Sequence, residues 1–274
     1  MGSLGAFDLF GLSGDEAGWP AGYLANGFGG EAAYFRRAVR RRGFAGLGRV
    51  ADAGAGFGRW SPFLAEVNDE VVAFDRNPRG VELGRKLADR FALDNLRFEQ
   101  ADLAALPAAD AAFDGVWCNN VLQFTDRGAV LREFNRVLPV GGSLAILMFN
   151  GGGGVLETFF GGYARGGLED HGARFALQCL KNGPLHNGRA NYGTIQSAQP
   201  MLAQFGFALK ERPQARFRSR GTRIDGGEDL AALARRLESD AAFRDDFARR
   251  PRFADAFPVT LDLLAIKRRD LAAA

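Results

Sequence analysis

Between residues 31 and 149 short apolar runs alternate with stretches whose apolar positions recur every three or four residues. Runs of the first kind suit buried strands, and the second period suits amphipathic helices. The pattern predicts helix 31–42, strand 48–53, helix 57–67, strand 70–75, helix 79–91 and strand 96–100, then strand 113–118, helix 127–137 and strand 143–149. Parallel strands joined by crossover helices produce that order. Val71–Phe74 and Leu144–Met148 are apolar throughout, as in strands with helices on both faces of the sheet. In the helix at 79–91, Leu83, Leu87, Ala88 and Phe91 share a face, while Arg85, Lys86, Asp89 and Arg90 lie elsewhere. Pro139-Val140-Gly141-Gly142 stops the next helix and turns the chain into SLAILMF.

After Phe149 the pattern loosens. Asn150 is followed by Gly151–Gly154, and glycine pairs recur at Gly161-Gly162 and Gly166-Gly167. About 40 residues pass before the helix expected at 194–204, too many for a plain connection in a compact domain. A short strand near 206–211, a helical stretch EDLAALARRLES and a last strand near 259–267 complete the chain. The expected organisation is an N-terminal arm at 1–30 and one α/β domain at 31–274, with insertions near 150–193 and 212–257 forming a cap. Trp19, Tyr23 and Phe28 in the arm are candidates to wall a pocket, although such aromatics more often pack on a core.

Composition trims the alternatives. The 274 residues are 47% apolar and 24% charged, ordinary for a globular chain. No run approaches the ~18 apolar residues of a membrane span. The start, MGSLGAFDLF, lacks a secretory pattern, so a cytoplasmic location is expected. Cys118 and Cys179 are too few for a disulfide scaffold or a cysteine-rich zinc site. The net charge of +3 is a small excess that does not mark a nucleic-acid partner. Arg36, Arg37, Arg40, Arg41 and Arg42 are expected on a solvated helix face, opposite Ala32, Ala33, Phe35 and Val39.

The chemistry concentrates at Arg49-Val50-Ala51-Asp52-Ala53-Gly54-Ala55-Gly56-Phe57-Gly58, where a strand ends and a helix follows. Alternate glycines let the backbone turn with positive φ and let a ligand lie against main-chain atoms. The spacing D-x-G-x-G-x-G differs from the dinucleotide pattern G-x-G-x-x-G, and no Gly-Lys-Ser/Thr follows as a P-loop requires. Asp75 closes the next strand, 17 residues after Gly58. An ionised carboxylate there can accept from two vicinal ribose hydroxyls.

These residues resemble the first two motifs of the class I S-adenosylmethionine-dependent methyltransferases. EQADL (99–103), FDGVWCNNVLQF (113–124) and LPVGGSLAI (138–146) are similar to the motifs that follow in that family. The resemblance implies a three-layer, doubly wound α/β fold of seven strands in the order 3-2-1-4-5-7-6, with strand 7 antiparallel. It implies S-adenosylmethionine as cofactor, its methionine part across Gly54, Gly56 and Gly58 and its ammonium near Asp52. Asp75 would hold the ribose and Asp102 with Leu103 the adenine, with Ala55 and Arg76 alongside. Asn119 would lie beneath the sulfonium, with Asn120 beside it or only tying down the turn.

Methyl transfer from a sulfonium demands alignment and exclusion of water, and no metal ligands are expected. His171 and His186 are the only histidines and the candidate general bases, with Tyr192 and Glu157 as weaker ones. FDGVWCNNV lacks the Asn/Asp-Pro-Pro-aromatic sequence of base N-methylating relatives, and Cys118 lacks the neighbouring proline of cytosine-C5 enzymes. The acid that metal-dependent catechol enzymes carry at the end of strand four is also missing. The expected partner is a small organic acceptor, with oxygen or nitrogen as target and neither nucleic acid nor membrane involved. Oligomeric state stays open, a homodimer included. The rival expectations are a nucleic-acid or protein methyltransferase, a non-catalytic cofactor-binding module and an aminopropyl transferase.

Overall fold

The computed structural model describes residues 32–149, most of 159–177, then 185–186, 189–190, 195–210, 214–220, 230–249 and 256–271. The N-terminal arm with Trp19, Tyr23 and Phe28, together with Glu157, His171, Cys179 and Tyr192, lies outside the described residues. In chain order the domain runs α1 (Ala32–Arg41), β1 (Arg49–Ala53), α2 (Ser61–Ala65), β2 (Glu70–Asp75), α3 (Pro78–Arg90), β3 (Leu96–Gln100) and β4 (Gly115–Asn119). There follow α4 (Arg127–Val137), β5 (Ser143–Phe149), the two-residue strands β6 (Leu185–His186) and β7 (Arg189–Ala190), α5 (Ile195–Gln204) and β8 (Phe207–Leu209). The chain ends with β9 (Gln214–Arg220), α6 (Leu230–Ser239), α7 (Ala241–Arg249) and β10 (Ala256–Lys267).

The sheet order is β3-β2-β1-β4-β5-β10-β8, parallel from β3 to β5 and antiparallel at β10, as the resemblance implied. Besides the short β6–β7 hairpin, one strand was not expected. β9 pairs antiparallel with β10 at residues 256–262, on the edge whose other stretch, 265–267, pairs with β8. The second insertion therefore begins as sheet before it turns helical, and β10 starts three residues earlier than its apolar pattern suggests, because a partner strand reaches that far.

Two other boundaries move for physical reasons. The helix expected at 57–67 is only Ser61–Ala65, because Gly54, Gly56 and Gly58 all have positive φ and keep the chain non-helical until Trp60. The strand expected at 113–118 is Gly115–Asn119, because the Phe113 N–H donates to the Val137 carbonyl at the end of α4. Ala33 is exposed, and Ala38 instead joins Phe35 and Val39 on the buried face of α1. Arg42 departs furthest from its expected solvated place: it is 4% exposed and bidentate to Asp262 of β10. Arg36 pairs with Glu66 across to α2.

The two faces of the sheet carry separate cores. One holds Phe74, Phe113, Phe134, Leu131 and Ile146 under α4 and α5. The other holds Phe35, Trp60, Phe63, Phe98 and Trp117 under α1, α2 and α3. On that second face Phe98 fixes how closely α3 approaches the sheet. A Cβ at Gly84 would sit 2.3 Å from its ring, and one at Gly58 would sit 2.6 Å away. Gly84→Ala is expected to lower stability by about 1–3 kcal/mol through this overpacking, against its gain in helix propensity. Urea unfolding measures it, and an unchanged midpoint would refute the tight fit.

A third core lies off the sheet. Phe159, Phe160, Ala173 and Leu177 of the first insertion pack with Leu233, Leu237 and Phe247 of the second. The two glycine-rich and helical segments thus share one apolar centre although more than 50 residues separate them. Phe124, from the 3₁₀ turn Leu122–Phe124 after β4, packs against the same centre.

Candidate functional site

β1 ends at Ala53, and both Gly54 and Ala55 donate their N–H groups to the Phe74 carbonyl of β2. This double bond to the neighbouring strand turns the loop up and over the sheet's carboxyl end. Gly54, Gly56 and Gly58 all take positive φ, at 78°, 61° and 98°. Their surroundings differ. A Cβ at Gly54 would strike the Val121 side chain and one at Gly58 would strike Phe98, whereas one at Gly56 meets nothing within 4 Å. Gly54 and Gly58 owe their bareness to packing against the protein itself. Gly56 is the member of the triplet that faces open space.

Asp75 sits at the end of β2 and reaches back to this loop. One carboxylate oxygen accepts from the Gly56 N–H at 2.8 Å and the other from the Asn77 N–H at 2.9 Å. Each oxygen can accept a further hydrogen bond, so the pair remains able to receive a diol. Asn77 in turn caps α3, its side chain accepting from the Arg79 N–H.

A cavity of about 400 Å³ opens beside these groups, lined by Gly54, Asp75, Arg76, Asp102, Leu103 and Phe124 among others. Asp102 follows β3, where its side chain accepts from the Ala104 N–H at 2.9 Å and shapes a local turn. Among the sequence candidates, Gly54, Asp75, Arg76, Asp102 and Leu103 therefore meet around one space. Ala55, Gly56 and Gly58 continue the same loop, and Asn119 stands at the end of the adjacent β4.

Asp52 lies deeper, 2% exposed, with Ser61 Oγ–H donating to its carboxylate at 2.6 Å. Burial, with the nearby Asp75 charge adding to it, pushes the Asp52 pKa up to about 7 against the pull of Ser61. Cys118 is buried as well. Its thiol is pushed up to about 12, first by burial and then by the Asp52 charge, which removes it from nucleophilic chemistry at neutral pH. No group of three or more His, Cys, Asp or Glu side chains among the described residues could hold a metal ion. His186 belongs to the small β6–β7 hairpin, whose backbone lies against the Leu122–Phe124 turn beside the cavity. Its side chain, like all of His171, is outside the described residues.

Residues 51–146 match the family model described as a methyltransferase domain. Over those residues the chain is similar to a methyltransferase domain. Over 108 residues it is 38% identical to a ubiquinone/menaquinone biosynthesis C-methyltransferase from Shewanella sp. (strain ANA-3), a stretch covering 37% of this chain and 43% of that protein. The chain thus matches less than half the length of that relative. Among solved structures, the YcgJ protein from Bacillus subtilis superposes with a TM-score of 0.57 at 17% identity, covering 86% of this chain and 99% of the other. A 4+2 cyclase, SpnF, superposes with a TM-score of 0.55 at 19% identity, covering 86% and 80%. The fold alone therefore does not fix the reaction.

For the methyltransferase domain the decisive question is whether these side chains fit its cofactor. They do. Gly56 leaves open space on the side where a Cβ would stand, and the Asp75 that holds its N–H lines the cavity. Sequence reasoning missed Val121 and Phe124, which close the cavity above β4, and Ser61, the partner of Asp52. Ser61 had no readable signal, since only the fold brings it within reach of a residue nine positions earlier. No helix among the described residues is long and apolar enough to cross a membrane.

Proposed function

We propose that the chain transfers the methyl group of S-adenosylmethionine to a small organic acceptor, at oxygen or nitrogen, by in-line displacement. The bound cofactor supplies a methyl group already activated on a sulfonium. The protein's task is then to hold donor and acceptor in line and to exclude water, which can supply ~7–11 kcal/mol of barrier lowering. The observation that carries this reading is the Asp75–Gly56 contact at the edge of the cavity, a carboxylate fixed beside bare backbone. In this reading Asp75 accepts from the ribose hydroxyls, Asp102 and Leu103 hold the adenine, and Arg76 lies along the base. Gly54 and Gly56 with Ala55 carry the methionine part, Gly58 keeps the loop seated on Phe98, and Asp52 lies below the ammonium. The two insertions form the cap that shields the acceptor, and His186, with His171, is the candidate base for an acceptor that must lose a proton. The relative's printed activity is C-methylation, which favours carbon as the second reading for the acceptor atom.

S-adenosylhomocysteine at about 100 times its Kd is expected to add ~2.7 kcal/mol of stability. Asp75→Ala is expected to lose most of that gain, because the ribose loses its acceptor and the Gly56 N–H its anchor. Thermal unfolding with and without ligand measures both. A wild-type protein indifferent to S-adenosylhomocysteine would refute the proposed function.

A further inference from the structure

Arg244, on α7 in the second insertion, is a buried cation with no acid paired to it among the described residues. It is 8% exposed, and its guanidinium carbon lies 5.3 Å from the ring centre of Tyr163, on the first insertion. We propose that the unused edge of this guanidinium, Nε with Nη2, binds a carboxylate carried on an apolar body. That the ligand is the methyl acceptor rests on the proposed function, whereas the site itself does not.

One terminal nitrogen, Nη1, donates to the Leu237 and Glu238 carbonyls at 2.6 and 3.1 Å, closing the carboxyl end of α6. Those carbonyls and the face of Tyr163 offset part of the cost of burying the charge. Nε is buried and donates to nothing among the described residues. Two acids close by in the chain are engaged elsewhere. Asp240 accepts from the Phe243 N–H and pairs with Arg236, and Asp245 accepts from the Tyr163 hydroxyl. A methionine or leucine would fill the same place between the helices with no charge to desolvate. What arginine adds is a fork, because Nε–H and one Nη2–H point the same way and match the two oxygens of a carboxylate. A buried donor left unmatched is costly, which marks this edge as one that a ligand completes.

The surroundings choose among anions. Arg244 stands where the two insertions meet, beside a shared core in which Phe159 stacks on Tyr163 and Phe160 on Phe247. A phosphate, doubly charged and without an apolar part, would lose more hydration there than one guanidinium returns. A single carboxylate on an aromatic or aliphatic body loses less and gains contact with the rings. The shared core lies off the sheet, so an acceptor anchored there is held by an end that does not react.

Fluorine NMR with 4-fluorobenzoate tests the site without knowledge of the natural ligand. Wild-type protein with S-adenosylhomocysteine present is expected to bind it with a Kd of about 1 mM or below. 4-Fluorobenzamide has the same shape without the charge. It is expected to bind about tenfold more weakly, the value of one hydrogen bond to a charged group. Arg244→Lys keeps a cation for the α6 carbonyls but lacks the fork, and it is expected to remove most of that preference. A Kd for S-adenosylhomocysteine within about twofold of wild type shows that the variant is folded. A wild-type crystal soaked with 4-bromobenzoate locates the ligand without any variant, through the anomalous signal of bromine. Equal binding of the two fluorinated probes, an unchanged preference in Arg244→Lys, or bromine away from Arg244 would each overturn the proposal. S-adenosylhomocysteine formed from S-adenosylmethionine with hydroxy- or aminobenzoates, at a KM raised by Arg244→Lys, identifies the ligand as the acceptor. Binding without turnover identifies a regulatory carboxylate. A wild-type protein that ignores S-adenosylhomocysteine yet prefers 4-fluorobenzoate would defeat the methyltransferase reading and leave this site standing.

Discussion

Asp262→Ala is expected to destabilise the fold by about 3–5 kcal/mol, although residue 262 lies outside every motif in the sequence. Arg42 Nε and one terminal nitrogen donate to the two oxygens of Asp262 at 2.9 and 2.8 Å, and the other terminal nitrogen donates to the Ala38 carbonyl. Both side chains are almost fully buried, and the guanidinium also lies over Trp117 and Trp60, at 5.1 and 5.9 Å from the ring centres. Removing the carboxylate strips a buried cation in an aromatic cage of its bidentate acceptor. The size of the loss measures that stranded charge rather than the net worth of the pair. Arg42→Met with Asp262→Leu is accordingly expected to recover most of the stability. Urea unfolding of the two single variants and the double variant completes the cycle. Additive losses would show that the pair does not act as a unit.

The second large effect depends on pH and belongs to Asp52. Its pKa is raised in the folded protein from 3.8 to about 7 by burial, so the native state binds a proton that the unfolded chain has released. The stabilisation this gives is complete below about pH 4, drains away as the pH rises and is gone above about pH 7. At full ionisation it corresponds to roughly 4 kcal/mol. Asp52→Asn keeps an acceptor for Ser61 but cannot ionise. The stability of the variant relative to wild type is therefore expected to rise steadily between pH 4 and pH 7, read from urea unfolding at a series of pH values. Parallel pH profiles for the two proteins would show that the carboxyl is not held neutral.

Much of the sheet was legible because its second, fourth and fifth strands are mostly apolar and turns such as Pro139–Gly142 carry glycine or proline. Val71–Phe74 and Leu144–Met148 announced a doubly covered sheet, and all of Val71–Phe74 is buried. The cofactor loop was legible for a different reason: turning a chain back at a strand end with bare backbone leaves few options besides glycine. What the sequence concealed depends on contacts between distant segments. Arg42 reads as one more arginine in a basic run until Asp262, 220 positions later, arrives beside it. β9 reads as charged loop, QARFRSR, because an edge strand beside β10 carries no demand for an apolar sequence. The shared core of the two insertions was hidden too, since neither insertion alone shows enough apolar surface to suggest a partner.

Gly58 and Gly84 carry a related lesson. Both look like sites of flexibility or ligand contact, and each makes room for the same phenylalanine ring. Phe98 could not have been nominated from its own neighbourhood, LRFEQ, which reads as an ordinary edge strand.

The aromatic side chain at 124 belongs to two rooms at once, facing the cavity beside Asp75 and resting on the core shared by the two insertions. A shift of that core is therefore felt at that cavity through the ring of Phe124. The rest of that cavity's lining comes from residues 54–130, and the insertions come from beyond 149. Under the proposed function such a division lets the insertions be rebuilt for new acceptors while the donor's seat stays as it is, provided the ring at the seam is kept.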